Sequence, residues 1–363
     1  MGLNLIRMRV LVMVLVLALM PCVSQSLAIN QLKQLAAKHN ITCMLVFGDS
    51  SVDPGNNNRL ATDMKGNFLP YGKDFFNGRP TGRFSDGRLA TDFIADELGF
   101  TNAIPAFLDP NISKMDILHG VSFASAGSGY DELTANFSSV LSVPKQLEYF
   151  KHYKIHLRQL VGVKKAEEII RNAIFVMSMG TNDFLQNYYL EPIRSEQYTL
   201  EEYKNFLVSR MVEDIKEMKR LGATRLVVVG VPPLGCMPLI KTLMDQNQST
   251  CVESYNKAAS TFNSKIQEKL AIIKATLRLK SAYLDCFNII QDAVNHPRKY
   301  GFVETAKGCC GTGTVEYGNT CKGSSVCEDP SKYVFWDAVH PTQKMYRIIA
   351  EVGLKSLNES FLL

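Results

Sequence analysis

The sequence predicts an α/β fold: a central, mostly parallel five-stranded sheet with helices on both faces, a three-layer α/β/α sandwich. Three observations carry this. Five short apolar runs, at 41–47, 120–124, 173–179, 225–231 and 281–286, have the length of buried strands. Longer stretches of helical periodicity separate them, and strands that alternate with helices form a parallel sheet covered on both sides. Several runs end abruptly in glycine, serine, asparagine or aspartate, at the strand ends where open α/β sheets carry their reactive groups.

Taken in order, residues 1–28 stand apart from the globule. Arg7 and Arg9 precede an unbroken apolar stretch from Val10 to Met20, and Ser26-Leu27-Ala28 supplies small residues at a cleavage position. That is the pattern of a secretory signal peptide, too short to span a bilayer, which takes about 20 residues. The first strand, 41–47, stops at Gly48-Asp49-Ser50. A long loop, 54–81, contains Asn56-Asn57-Asn58. Ser85 and Asp86 are good cap types for a helix over 87–98. A second strand at 120–124 precedes a helix over 143–160, with Pro144 near its start, and a short helix at 166–171. After the strand at 173–179, Thr199 and Glu202 form a capping box for a helix over 200–221 that ends at Gly222. The strand at 225–231, a helix over 254–279 and the strand at 281–286 follow. A second long loop, 307–332, leads to a last helix that starts with Pro341 at its first position and runs to about Leu357. No linker interrupts residues 29–363, which read as one domain.

Composition narrows the function. The chain has 363 residues, 46% hydrophobic and 21% charged, the balance of a globular protein with a large core. Its net charge of +5 falls to +3 without residues 1–28, and its basic residues are scattered, so nucleic acid is not a predicted partner. Nine cysteines become eight without Cys22. An even set in a secreted chain predicts disulfides, with Cys309, Cys310, Cys321 and Cys327 stapling a small glycine-rich loop. Connectivity stays open. The cysteines lack paired C-x-x-C units and nearby histidines, so no metal site is predicted, and no cofactor. N-x-S/T sequons at Asn40, Asn111, Asn136, Asn247 and Asn358 are candidate glycan sites and therefore surface positions.

Four short motifs carry the chemistry. Gly48-Asp49-Ser50-Ser51 places a serine on a tight turn after a buried strand. A free hydroxyl is a weak nucleophile and needs a base. Val52 occupies the last glycine position of G-x-S-x-G, which excludes the nucleophile elbow of α/β-hydrolases. Ser125-Ala126-Gly127-Ser128-Gly129 is small enough for backbone N–H groups to face an anion. In Gly180-Thr181-Asn182-Asp183, the Asn182 amide is a further donor. Asp337-Ala338-Val339-His340 puts an acid three residues before a histidine. There it can bond Nδ1, fix the tautomer and leave Nε2 for a serine. Each motif alone is compatible with an ordinary turn, cap or surface pair.

Together, in this order and spacing, they resemble the plant-type GDSL esterases/lipases of the SGNH hydrolase superfamily over essentially the whole of 29–363. Asp53-x-Gly55-Asn56-Asn57, Pro70-Tyr71-Gly72, Gly82-Arg83-Phe84-Ser85, Val231-Pro232-Pro233-Leu234-Gly235-Cys236 and Phe335-Trp336-Asp337 extend the match. The resemblance implies a flavodoxin-like three-layer fold and ester hydrolysis. It makes Ser50 the nucleophile, His340 the base and Asp337 the orienting acid. The Ser50 and Gly127 N–H groups and the Asn182 amide become the oxyanion hole. Ser122 and Asp86 depart from the family, which has asparagine at both. Asp49 and Asp53 are rival acids, but neither has the three-residue relation to His340. The expected product is a secreted esterase acting on a small-molecule, lipid or acylated-polysaccharide ester. Acyl transfer to another alcohol at the same site, or a non-catalytic secreted binding glycoprotein, are the alternatives.

Overall fold

The computed structural model describes residues 32–244 and 250–362. The signal peptide predicted at 1–28 and the sequon at Asn247 lie outside the described residues. All five runs form strands: β1 (Met44–Gly48), β2 (Gly120–Ser122), β3 (Ile174–Ser178), β4 (Arg225–Val229) and β5 (Lys280–Leu284). They make one sheet of order β2-β1-β3-β4-β5 in which every pair is parallel. β1 and β3 are buried at each position, which is why they read as continuous apolar runs. β5 closes one edge and leaves Lys280 exposed.

The principal helices are α1 (Ala90–Glu97), α2 (Val143–Val161), α3 (Leu200–Leu221), α4 (Glu253–Thr276), α5 (Cys286–Asn295) and α6 (Gln343–Leu357). Right-handed crossovers put α2, α3 and α4 on one face and α1, α5 and α6 on the other. On the first face, Phe150 of α2 meets Phe47 and Phe175 edge-on, with centroids 5.8 and 5.4 Å away. On the second, Gly353 of α6 lies so close to the sheet that a Cβ there would sit 2.7 Å from Leu284 Cδ1. The capping box of α3 forms as predicted: Thr199 N donates to Glu202 Oε2 at 2.8 Å, and Glu202 N donates back to Thr199 Oγ1 at 3.3 Å.

Two helix starts differ from the prediction. The N-cap of α1 is Leu89, whose N–H donates to Asp92 Oδ2 at 2.8 Å, while Ser85 and Asp86 bond elsewhere. The N-cap of α6 is Thr342, whose hydroxyl accepts from Met345 N, so Pro341 stands before the helix. Pro341 instead bridges to Phe335 of a small parallel pair, β6 (Glu304–Gly308) and β7 (Tyr333–Phe335).

The predicted stapled loop exists, held by Cys309–Cys327 and Cys310–Cys321, and Cys236–Cys251 closes a third loop. The expectation that all eight cysteines pair does not hold. Cys43 precedes β1 and Cys286 follows β5, with β3 and β4 between those strands, so the two thiols stay free and buried. Burial pushes the Cys43 thiol up to about 12, against the Tyr153 hydroxyl that bonds it. Cys286 donates to Gly230 O at 2.7 Å. Of the sequons, Asn40, Asn111 and Asn136 are exposed; Asn358 is half-buried, with its Oδ1 unpartnered among the described residues, which corrects the surface expectation there. No helix among the described residues is long and apolar enough to cross a membrane.

Candidate active site

The strand order reverses between β1 and β3, and crevices at such switch points are where open α/β sheets bind ligands. Ser50 follows β1 and Asn182 follows β3, so the topology alone brings them to one crevice. Gly48 makes the turn possible. Its φ is +152°, and a Cβ there would lie 2.1 Å from Ser178 O. The buried amide of Gln146 on α2 clamps the same glycine. Its Oε1 accepts from Gly48 N and its Nε2 donates to Gly48 O, both at 2.9 Å.

Ser50 Oγ lies 2.8 Å from His340 Nε2. On the far side of the ring, Nδ1 lies 2.9 and 2.8 Å from Asp337 Oδ1 and Oδ2. Ser50 is 9% exposed, His340 6% and Asp337 fully buried. Asp337 Oδ1 also accepts from Val339 N at 2.8 Å and His340 N at 2.7 Å, because the D-x-x-H segment turns back on its own carboxylate. Tyr71 completes the set, donating its hydroxyl to Asp337 Oδ2 at 2.7 Å and accepting from Gly318 N at 2.7 Å. Burial first, and the Asp337 charge second, hold the Tyr71 phenol well above its ordinary range, so it remains a donor. Phe84 packs against the imidazole with centroids 4.9 Å apart. Tyr71, Phe84 and Trp336 form a second buried cluster with Cys309, Cys310 and Cys321.

The other predicted donors are held by buried networks. Gly127 has φ +86°, and a Cβ on it would press on Met64 and Ser138. Among the described residues, neither Ser50 N nor Gly127 N has an acceptor. Asn182 Nδ2 donates to Ser128 O at 2.9 Å, which orients the amide and leaves its second hydrogen free. Asp53 anchors the Asn-rich loop: it accepts from Gly55 N (2.8 Å), Asn56 N (2.7 Å) and Ala126 N (3.0 Å), and burial pushes its carboxyl up to about 6 despite these bonds. Asn57 Nδ2 then reaches Met64 O and Ala126 O at 2.7 and 2.9 Å. Asp49 bonds locally to Ser51 N and Oγ, at 2.9 and 2.7 Å. Burial pushes its carboxyl up as well. Neither rival acid bonds His340.

Both departures from the family pattern have partners. Ser122 Oγ donates to Val52 O at 2.9 Å, tying β2 to the turn after Ser50. Asp86 Oδ1 accepts from Gln343 N at 2.7 Å, so this acid caps α6 from a distance. Sequence reasoning missed Gln146, as well as the roles of Tyr71 and Phe84. The latter two lay inside motifs, but Gln146 is one polar residue on an amphipathic helix, and only its full burial in the fold marks it.

A cleft of about 460 Å³ opens over Ser50, Asn182 and His340, walled by Met64, Ser138, Leu185 and Gln186 among others. No group of three or more histidine, cysteine or acidic side chains among the described residues is arranged to hold a metal ion.

The model of the GDSL-like Lipase/Acylhydrolase family matches residues 44–352. The chain belongs to that family. Among its relatives in Arabidopsis thaliana, the GDSL esterase/lipase At5g45950 is 58% identical over 93% of this chain and 94% of that one. At5g45960 of the same organism is 44% identical over 85% and 84%. Solved structures similar to it are the lipase Lip_vut3 from a goat rumen metagenome (12% identity, 88% and 99% covered, TM-score 0.40) and a catalytic mutant of Axe2, an acetylxylan esterase from Geobacillus stearothermophilus (12% identity, 88% and 93% covered, TM-score 0.38). This GDSL family member is an ester hydrolase.

Proposed function

We propose that this GDSL hydrolase is a secreted serine esterase that works through an acyl-enzyme on Ser50. The observation that carries the reading is the unbroken chain Ser50 Oγ, His340 Nε2, His340 Nδ1, Asp337, with links of 2.8 to 2.9 Å. His340 takes the Ser50 proton as Oγ attacks the ester carbonyl, and Asp337 stabilises the imidazolium. The N–H groups of Ser50 and Gly127 and the Asn182 amide receive the oxyanion. His340 returns the proton to the leaving alcohol. Water then attacks the acyl-enzyme, its proton passing through His340 to Ser50 Oγ, and the acid is released.

Secretion is supported by the leader pattern at 1–28 and by three disulfides, which persist in oxidising compartments. Residues 29–363 form the mature domain, with exposed Asn40, Asn111 and Asn136 as glycan acceptors. Substrates are small-molecule, lipid or acylated-polysaccharide esters. The test is turnover of p-nitrophenyl esters together with fluorophosphonate labelling. Wild type is expected to do both and Ser50→Ala neither; a labelled Ser50→Ala protein would refute the assignment. Asn182→Ala removes one oxyanion donor and is expected to lower kcat by about 10²–10³-fold with labelling slowed in parallel.

A further inference from the structure

A second cavity meets the first at Ser50, Asn182, Val339 and His340, and it runs inward instead of outward. It lies between the sheet and the layer of α1, α5 and α6. Val176 and Val227, which are register partners and so face the same way, line its floor with Leu284 of β5. Ile94 of α1 and Ile349 of α6 roof it. The two cavities differ in character. The outer cleft offers Thr62, Asp63, Ser138, Gln186 and Glu191, whereas the wall of the inner chamber is mainly apolar, with its polar side chains in the minority.

The few polar groups of the chamber are mostly committed to one another. Ser51 Oγ donates to Asp49 and lies 2.8 Å from Ser178 Oγ, and Cys286 is bonded to Gly230 O. Tyr346 Oη has no partner among the described residues, and Thr91 and Thr181 add hydroxyls to the lining, but apolar surface dominates the wall. A chamber of this kind favours an apolar occupant. Its volume is about 100 Å³. An apolar cavity of about 150 Å³ holds the six carbons of benzene, which scales to about four carbons here.

We propose that this chamber is the acyl subsite and that it takes a short, unbranched aliphatic acyl chain of about four carbons beyond the carbonyl, leaving the alcohol in the outer cleft. The inference rests on the Ser50 esterase reading and sharpens it: the preferred esters carry short aliphatic acids, with the size and polarity of the alcohol set by the open side.

The experiment is a p-nitrophenyl ester series from acetate to dodecanoate, run on wild type, Ile349→Ala and Val227→Phe, beside a series of straight-chain alkylboronic acids as inhibitors of wild type. Each methylene that enters the chamber is expected to raise kcat/KM and tighten boronate binding about fourfold. The gain should stop near pentanoate or hexanoate and reverse by octanoate. Ile349→Ala should move the optimum to longer chains and Val227→Phe to acetate. Should either variant fail to fold, the boronate series on wild type decides. Affinity that is flat from two carbons, or still climbing at eight and beyond, overturns the chamber assignment. So does an optimum that both variants leave unmoved. Failure of the underlying reading looks different: no Ser50-dependent hydrolysis of any ester in the series.

Discussion

Tyr71 shows how a single hydroxyl conditions the Asp337–His340 pair. Asp337 is fully buried, and an isolated buried carboxylate would be costly; four donors, two of them backbone N–H groups, offset that cost. The phenol is the one donor among them that can be deleted without touching the dyad. Its O–H draws negative charge on Asp337 toward itself and away from the imidazole. In Tyr71→Phe, Asp337 loses one of its four donors, and the acid that orients the imidazole is held less firmly. A few-fold loss in kcat is expected in ester turnover, with KM nearly unchanged. The same change leaves Gly318 N–H buried without an acceptor, a cost of about 1–3 kcal/mol in unfolding free energy. An unchanged kcat with reduced stability would make Tyr71 a packing residue only.

At the scale of elements, a buried ion pair at Arg83 adds to the bonds of Asp53, Asn57 and Tyr71 that fasten the loop at 54–81 to the sandwich. Arg83 is bidentate on Asp92 of α1, Nε to Oδ2 and Nη2 to Oδ1, each at 2.8 Å, and its Nη2 also reaches Ile104 O at 2.7 Å. Asp92 in turn accepts from Leu89 N and Ile104 N at 2.8 Å. One carboxylate therefore caps α1, holds the segment before β2 and neutralises the arginine beside Phe84, the ring on His340. Asp92→Ala strands the Arg83 charge and two N–H groups. It is expected to lose about 3–5 kcal/mol of stability in denaturant titration, with activity falling as the loop loosens. The residue types of Gly82-Arg83-Phe84-Ser85 were visible in the sequence, but this function was not. Local pattern identifies an element from its own period, as for the strands at 173–179 and 225–231 and the boxed start of α3. It cannot announce that Arg83 crosses to a helix, that Asp86 caps α6 rather than α1, or that Tyr71 meets an acid 266 positions later. Gln146 is the clearest case: nothing local distinguishes it from the solvated polar residues of α2. Cysteine pairing failed as a count for the same reason, since parity is blind to the two strands between Cys43 and Cys286.

For the whole molecule, the buried acids outside the dyad set an opposed pair of pH effects. Burial is the leading cause in each of four: it pushes Asp53 and Asp86 up to about 6, and Asp183 and Asp214 up to about 7. A carboxyl raised in the folded state binds its proton more tightly there than in the unfolded chain. Between the ordinary carboxylate range and pH 6–7 the folded state thus holds more protons, and stability falls as pH rises through that window. On the surface the sign reverses. The Arg220 hydrogen bond first, and Lys204 ahead of Lys265, hold Glu217 and Glu201 at about 2. Their contribution is present above the ordinary glutamate range and is lost as pH falls below it. That surface term is small because both groups are solvent-screened. The two trends meet in the ordinary carboxylate range, at about pH 4. Thermal unfolding is therefore expected to give a higher Tm at pH 5–5.5 than at pH 7.5, with a decline below pH 4. Asp183 is the lever for the upper limb. Its carboxylate accepts from Tyr130 N at 2.8 Å and Asp131 N at 3.1 Å, on the segment that follows Gly127, and from Thr134 Oγ1. Asp183→Asn keeps one oxygen for those donors and removes the titration, so the rise in Tm on going from pH 7.5 to 5.5 should shrink. A Tm that climbs from pH 5.5 to 7.5 in the wild type would show that these carboxyls are ionised in the fold at little cost, and that the buried polar scaffold around the site is better hydrated than its burial implies.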